Sequence, residues 1–236
     1  MSDYNEDSIR SLQWNVHLRE RPGMYIGKLG DGSEPDDGIY VLLKEVIDNS
    51  IDEFMRGYGR NIEVTIKDSQ VSVRDYGRGM PLGKVIDCVA RINTGGKFDD
   101  QAYDTAIGMN GVGVKAVNAL STMFFVSSVV NGKKKSARFS AGEIVEDFPI
   151  CETDEHNGTF ISFLPDDKLF ENFHWYGEHV ERLLWNYAYL NRGLTINFNG
   201  KKFVSKNGLL DLLHNNVSGE MLYEPIHLKD NDFEFA

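Results

Sequence analysis

An α+β fold, a two-layer sandwich with a mostly antiparallel mixed sheet and helices on one face, is predicted by three patterns in this chain of 236 residues. The first is a pair of alternating segments, Ile62-Glu63-Val64-Thr65-Ile66 and Val71-Ser72-Val73-Arg74-Asp75, joined through Asp68-Ser69. Such alternation about a two-residue turn is the signature of a β-hairpin. The second is a series of apolar runs at 123–130, 137–140, 143–148 and 159–164, which follow one another with no helical segment between them. The third is that helical periodicity falls in separate blocks rather than after every strand, as a doubly wound sheet would require.

The elements follow in order. Residues 8–21 carry helical spacing through Ile9, Leu12 and Val16 and stop at Pro22. Asp36 is a plausible N-cap for a helix through Ile39, Leu42, Leu43, Val46, Ile47, Ser50 and Phe54, ending near Gly57 or Gly59. After the hairpin, Pro81 precedes a short helix through Val85, Ile86, Val89 and Ile92, and residues 94–109 form a long polar stretch with Gly95, Gly96 and Gly108. Long loops of this kind are usually functional lids or disordered. Residues 112–120 read as a helix opened by Gly111 and Gly113, 175–191 as an amphipathic helix, 194–198 and 202–204 as a hairpin around Asn199-Gly200, and 208–215 as a last helix. Residues 217–236 read as an unfinished piece, with Phe233-Glu234-Phe235 lacking a partner, as though cut from a longer protein.

Composition narrows the class. Apolar residues at 41% and charged residues at 26% are ordinary for a globular protein, and two cysteines, Cys88 and Cys151, make neither a disulfide scaffold nor a metal cluster. Both thiols are expected as buried small hydrophobes in a reducing cytoplasm. No early apolar run resembles a secretory signal and no stretch approaches transmembrane length, so no membrane association is expected. A net charge of −11 argues against a nucleic-acid clamp. The dense positive run of Lys133, Lys134, Lys135 and Arg138 lies beside the turn signal Asn131-Gly132 and reads as a solvated hairpin tip, with a DNA-facing loop as the alternative.

Three segments carry candidate chemistry. A helix through residues 45–53 stacks Glu45, Asp48, Asn49, Asp52 and Glu53 along one face. Like charges at this spacing cost a helix roughly 0.2–0.5 kcal/mol per pair, so the row is either a solvated face or a site for a cation or a phosphate-bearing ligand. In Asp75-Tyr76-Gly77-Arg78-Gly79-Met80-Pro81 a carboxylate ends a strand and two glycines allow a tight turn; a buried Asp75 could accept from an exocyclic amine, and a plain capped turn is the alternative. Gly108-Met109-Asn110-Gly111-Val112-Gly113-Val114-Lys115 brings glycine-rich backbone to a helix start, where N–H groups attract phosphate. It matches neither a Walker A loop nor a dinucleotide fingerprint.

In this order, the three segments resemble the nucleotide-binding motifs of the superfamily that unites DNA gyrase, a heat-shock chaperone, sensor histidine kinases and a mismatch-repair protein. Arg21-Pro22-Gly23-Met24-Tyr25-Ile26-Gly27, the segment 45–53, Gly95-Gly96-Lys97-Phe98-Asp99-Asp100 and Asn118-Ala119-Leu120-Ser121 further resemble the B subunits of bacterial gyrase and topoisomerase IV. The likeness runs from about Tyr4 to Asn215. It implies a Bergerat-type ATP-binding domain over residues 1–216, with an exchangeable arm at 1–8, an ATP lid at 94–110, and the start of a following transducer region at 217–236.

The resemblance also implies roles. Glu45 would be the general base, and Asn49 would hold the Mg2+ that bridges the phosphates, with Asp52 as a supporting polar residue. Asp75 would bind the adenine amine with Thr159 assisting through water, and Gly79 would pack under the base beside Met80 and Pro81. Glu53 and Arg78 would pair over the pocket mouth. Gly108, Met109, Asn110, Gly111, Val112, Gly113 and Val114 would wrap the phosphates, with Lys97 and Tyr103 in the lid and Tyr4 reaching the partner's site. The implied activity is Mg2+-dependent ATP hydrolysis by a type II topoisomerase, in which an ATP-driven homodimer gate captures DNA for strand passage. An A-type subunit would supply cleavage in a cytoplasmic, nucleoid-associated enzyme, and the fragment alone would be a monomer. The alternative is a nucleotide-dependent dimerisation module of mismatch-repair or chaperone type. The chain departs from the pattern at Asn110, where bacterial relatives usually have His, at Tyr76 in place of a second acidic residue, in the short connection 82–84, and at Val130, where an Arg that grips aminocoumarins is common.

Overall fold

The computed structural model describes residues 12–92, 94, 111–217, 219, 223–230 and 233–236. Its helices are α1 (Trp14–Glu20), α2 (Gly23–Ile26), α3 (Gly38–Met55), α4 (Val85–Ala90), α5 (Gly113–Ala119), α6 (Gly177–Leu190) and α7 (Leu209–Asn216). The strands are β1 (Asn61–Lys67), β2 (Gln70–Asp75), β3 (Ser121–Val130), β4 (Lys133–Ser140), β5 (Glu143–Asp147), β6 (Cys151–Glu152), β7 (Gly158–Pro165), β8 (Thr195–Phe198), β9 (Lys201–Phe203), β10 (Leu228–Lys229) and β11 (Glu234–Phe235). Strands β1 to β9 form one sheet in the order β5-β4-β3-β7-β2-β1-β8-β9, with β6 beside β4. This is the α+β arrangement with a mostly antiparallel sheet that the sequence pattern predicts.

The register explains why this sheet has one apolar face. Val71 on β2 lies opposite Phe163 on β7, Phe163 opposite Phe124 on β3, and Phe124 opposite Phe139 on β4. The next row along is Phe198, Val64, Val73, Ile161, Val126 and Ala137. All of these side chains are buried, and the helices pack onto them. One step further the row changes character: Ile62 pairs with Asp75, and Ser128 with Thr159. Because successive side chains alternate faces, Val71, Val73 and Asp75 point the same way, and the carboxylate ends a core-facing row beneath the helices.

Several details differ from the sequence expectation. The long helix is preceded by Asp37 rather than Asp36, and no side chain caps it. Asp37 turns backward, accepting from the N–H groups of Gly32 (2.8 Å) and Glu34 (3.2 Å) and pairing with Lys28 at 2.9 Å, so its carboxylate serves the preceding loop and not the helix end. Strand β8 is not confined to its hairpin with β9: it runs parallel to β1, from Asn61 opposite Thr195 to Val64 opposite Phe198, extending the apolar rows. Cys151 is exposed on the short edge strand β6, where pairing to Lys134 turns its side chain outward, and Cys88 is half-buried. Phe233-Glu234-Phe235 is not unpartnered: Phe235 pairs with Leu228, and Glu234 holds Lys229 (2.7 Å) and His227 (2.9 Å).

The positive run on β4 is largely neutralised. Lys134 meets Glu155 at 2.5 Å, Arg138 meets Glu146 at 3.1 Å, and Lys135 pairs with Asp147. Among the described residues, no helix is long and apolar enough to cross a membrane.

Candidate functional site

Helix α3 crosses the sheet face with Ile39, Leu42, Leu43, Val46, Ile47 and Ile51 buried beneath it. That anchoring fixes which side chains remain for the opposite rim. At 3.6 residues per turn, Glu45, Asn49 and Asp52 fall on adjoining turns of one stripe, with Glu53 at its edge. The stripe borders a cavity of about 1200 Å³ between α3, the end of β2, the turn after it and the start of α5.

Glu45, Asn49, Asp52, Glu53, Asp75, Arg78, Gly79, Met80, Pro81, Gly111, Val112, Gly113, Val114 and Thr159 all border this single cavity. Tyr4, Lys97, Tyr103, Gly108, Met109 and Asn110 lie outside the described residues. Three elements well separated along the chain are thus brought to one place.

The Glu45 carboxylate lies against Gly113, so closely that a Cβ there would stand 1.7 Å from Oε2. Only glycine admits this approach between the acidic helix and the first residue of α5. Asn49 Nδ2 donates to the Glu45 carbonyl at 2.7 Å, which orients the amide one turn further along.

Asp75 is nearly sealed from solvent yet receives three donors: Gly77 N–H at 2.9 Å and Thr159 N–H at 3.1 Å on Oδ1, and Ser50 Oγ at 3.4 Å on Oδ2. Burial outweighs these hydrogen bonds and pushes its pKa up to about 6. The carboxyl therefore sits near neutrality, poised to gain from any further donor. Thr159 reaches it directly through its backbone. Gly158, at φ 136°, makes this possible, since a Cβ there would lie 2.2 Å from the Asp75 carbonyl.

The turn after β2 is equally constrained. Gly79 has φ 79°, and a Cβ would lie 2.6 Å from the Val129 carbonyl. Ser128 Oγ donates to the Met80 carbonyl at 2.8 Å, pinning the turn to β3. Glu53 accepts from Arg78 Nε (3.0 Å), Nη2 (2.8 Å) and the Arg78 N–H (3.0 Å), while the guanidinium covers the Tyr58 ring at 4.6 Å. Burial opposes ionisation of Glu53, and the Arg78 hydrogen bonds overcome it, leaving its pKa below the usual range. The two parallel hydrogen bonds between guanidinium and carboxylate fix the pair at the cavity edge.

Sequence reasoning missed Ser50, Gly158 and Lys44 at this site, and gave Lys115 no role. Lys115 is buried with Nζ on the Thr94 carbonyl at 2.7 Å, and Lys44 pairs with Asp48 at 3.1 Å on the cavity rim. The signal for Gly158 was its place directly before Thr159; Ser50 follows Asn49 but reads as an ordinary core position. Val130 borders the cavity beside Gly79. No group of three or more acidic, histidine or cysteine side chains fit to hold a metal occurs among the described residues.

A family model described as histidine kinase-, DNA gyrase B- and HSP90-like ATPase matches residues 35–168. The chain is 48% identical over 235 residues to the B subunit of DNA topoisomerase 4 from Borreliella burgdorferi, covering 99% of this chain and 39% of that protein. It is 37% identical over 209 residues to the B subunit of DNA gyrase from Rickettsia conorii, covering 83% of this chain and 25% of that protein. The 43K ATPase domain of Thermus thermophilus gyrase B, solved in complex with an aminocoumarin, superposes with TM-score 0.75 at 28% identity, over 94% of this chain and 61% of that one. This chain spans 39% or less of the length of those curated relatives.

Proposed function

This chain belongs to the histidine kinase-, DNA gyrase B- and HSP90-like ATPase family, and from that premise we propose that it is the ATP-binding and hydrolysing part of the B-type subunit of a type II DNA topoisomerase. The observation that carries the reading is the convergence of Glu45, Asn49 and Asp75 on one cavity of about 1200 Å³, large enough for a nucleotide.

In this reading Asp75 accepts a hydrogen bond from the adenine amine, and Gly79 leaves room for the base to lie flat. The Glu53–Arg78 pair closes one wall. Backbone from Gly111 to Val114 faces the phosphates, joined by Gly108, Met109, Asn110, Lys97 and Tyr103. Glu45, held against Gly113, orients and polarises the attacking water, which a carboxylate does well when fixed within reach. The oxygen of Asn49 suits Mg2+, a hard cation that keeps most of its waters. When bound, the ion would offset phosphate charge.

Larger-scale roles follow as part of the same proposal. Residues 1–216 form the nucleotide domain and 217–236 open the next region. Tyr4 enters a second protomer's site when ATP draws two copies together, DNA and an A-type cleavage subunit act through the longer protein, and the setting is cytoplasmic and nucleoid-associated.

The test is ATP turnover of the wild type and Glu45→Ala with nucleotide affinity measured in parallel. We expect turnover to fall by about 10²–10⁴-fold while binding persists. Unchanged turnover in the variant would remove Glu45 from the chemistry.

A further inference from the structure

We propose that Tyr187 is a positioning residue for hydrolysis, acting through Asp48 to hold the Glu45–Asn49 turn of α3. The inference rests on the reading of Glu45 as the base. Asp48 lies three residues after Glu45 and four before Asp52, in a row of carboxylates on one helix. Both Asp48 and Asp52 are buried. A buried carboxylate is tolerated when its oxygens are hydrogen-bonded and its charge is balanced.

Asp48 meets both conditions through two partners outside the phosphate loop. Lys44 Nζ donates to Oδ2 at 3.1 Å, and the Tyr187 hydroxyl donates to Oδ1. Tyr187 belongs to α6, an element that contributes no residue to the cavity wall. Its hydroxyl holds its proton firmly, because burial and then the charges of Asp48, Glu45 and Asp52 push its pKa far up. Donation therefore runs one way, from Tyr187 to Asp48. The bond ties the acidic helix to α6 and fixes the orientation of this carboxylate on the cavity rim, one residue before Asn49. Without the hydroxyl, a buried carboxylate oxygen loses its donor, and Asp48 is free to turn toward another.

Tyr187→Phe tests this in the whole chain. We expect kcat for ATP to fall roughly tenfold with nucleotide Kd changed by less than about twofold, the size typical of outer-shell partners. Because Tyr187 acts through Asp48, adding Tyr187→Phe to Asp48→Asn should lower kcat no further. An unchanged kcat in Tyr187→Phe, a full additional loss in the Asp48→Asn background, or an equal loss of nucleotide affinity would each overturn the inference. Should Tyr187→Phe fail to fold, Asp48→Asn alone decides: it must lower kcat while sparing Kd. Glu45→Ala measured alongside separates the two readings, since Glu45-dependent turnover with an indifferent Tyr187 sinks only this one.

Discussion

At the residue scale, Asp75 shows how a single buried carboxylate links stability to recognition. Its pKa is raised from 3.8 to about 6 by burial, so the folded state prefers the protonated form. The sign follows: its contribution to stability is fully present below the unfolded value and is lost as pH rises through about 6. At pH 7.5 the unliganded protein therefore carries a penalty of up to about 3 kcal/mol from this group. Asp75→Asn keeps an oxygen for Gly77 and Thr159 while removing the charge. Thermal unfolding without nucleotide should place the variant above the wild type at pH 7.5, with the gap about halved at pH 5 and closed only as pH falls below about 4. Recognition runs the other way, since the ionised form is the stronger acceptor for an adenine amine. ATP affinity of the wild type should weaken as pH drops below about 6, and the variant should bind ATP poorly at any pH. A flat affinity profile in calorimetric titrations would separate Asp75 from the base.

At the scale of elements, the acidic helix and α5 meet at Gly113, and that contact gives activity and stability opposite responses. Gly113→Ala adds a Cβ 1.7 Å from Glu45 Oε2, forcing the carboxylate aside. Turnover should drop by about 10²-fold, as misplacement of a catalytic group by an ångström does. The melting temperature should hold or rise, since alanine favours a helix by about 1 kcal/mol over glycine. Gly79→Ala makes the contrast: there the Cβ meets backbone at φ 79°, so stability itself should fall, by about 1–3 kcal/mol. Equal melting shifts for both variants would contradict this division. These elements also show what the sequence could and could not disclose. Alternation through Val71 and Val73 placed the β1–β2 hairpin, and helical spacing placed Glu45 with Asn49, because local periodicity encodes which face is buried. Pairing of β8 with β1 was hidden, because a strand's own pattern does not name its neighbour. Asp37 was missed as the residue before α3 because an acidic pair offers two candidates that a local pattern does not separate. Likewise the donors to Asp75 from Thr159 and Ser50 lie 84 and 25 residues away, beyond any local signal.

For the whole molecule, charge decides what the chain can hold unaided. It carries a net charge of −11, and its densest positive run is largely met by Glu146, Asp147 and Glu155 from neighbouring segments. Affinity for duplex DNA comes mainly from cations that neutralise phosphates and release counterions, and here most of those cations are already engaged. The isolated chain should therefore show negligible affinity for a short duplex at physiological salt, read by fluorescence anisotropy of labelled DNA. Replacing Glu146, Asp147 and Glu155 together by alanine exposes Lys134, Lys135 and Arg138. Weak binding should then emerge at low salt and vanish as salt rises, because the surface is screened beyond about 10 Å at 0.1 M. Salt-dependent binding by the unaltered chain, abolished by Lys134→Ala with Lys135→Ala, would instead make β4 a DNA-facing strand and the carboxylates its regulators.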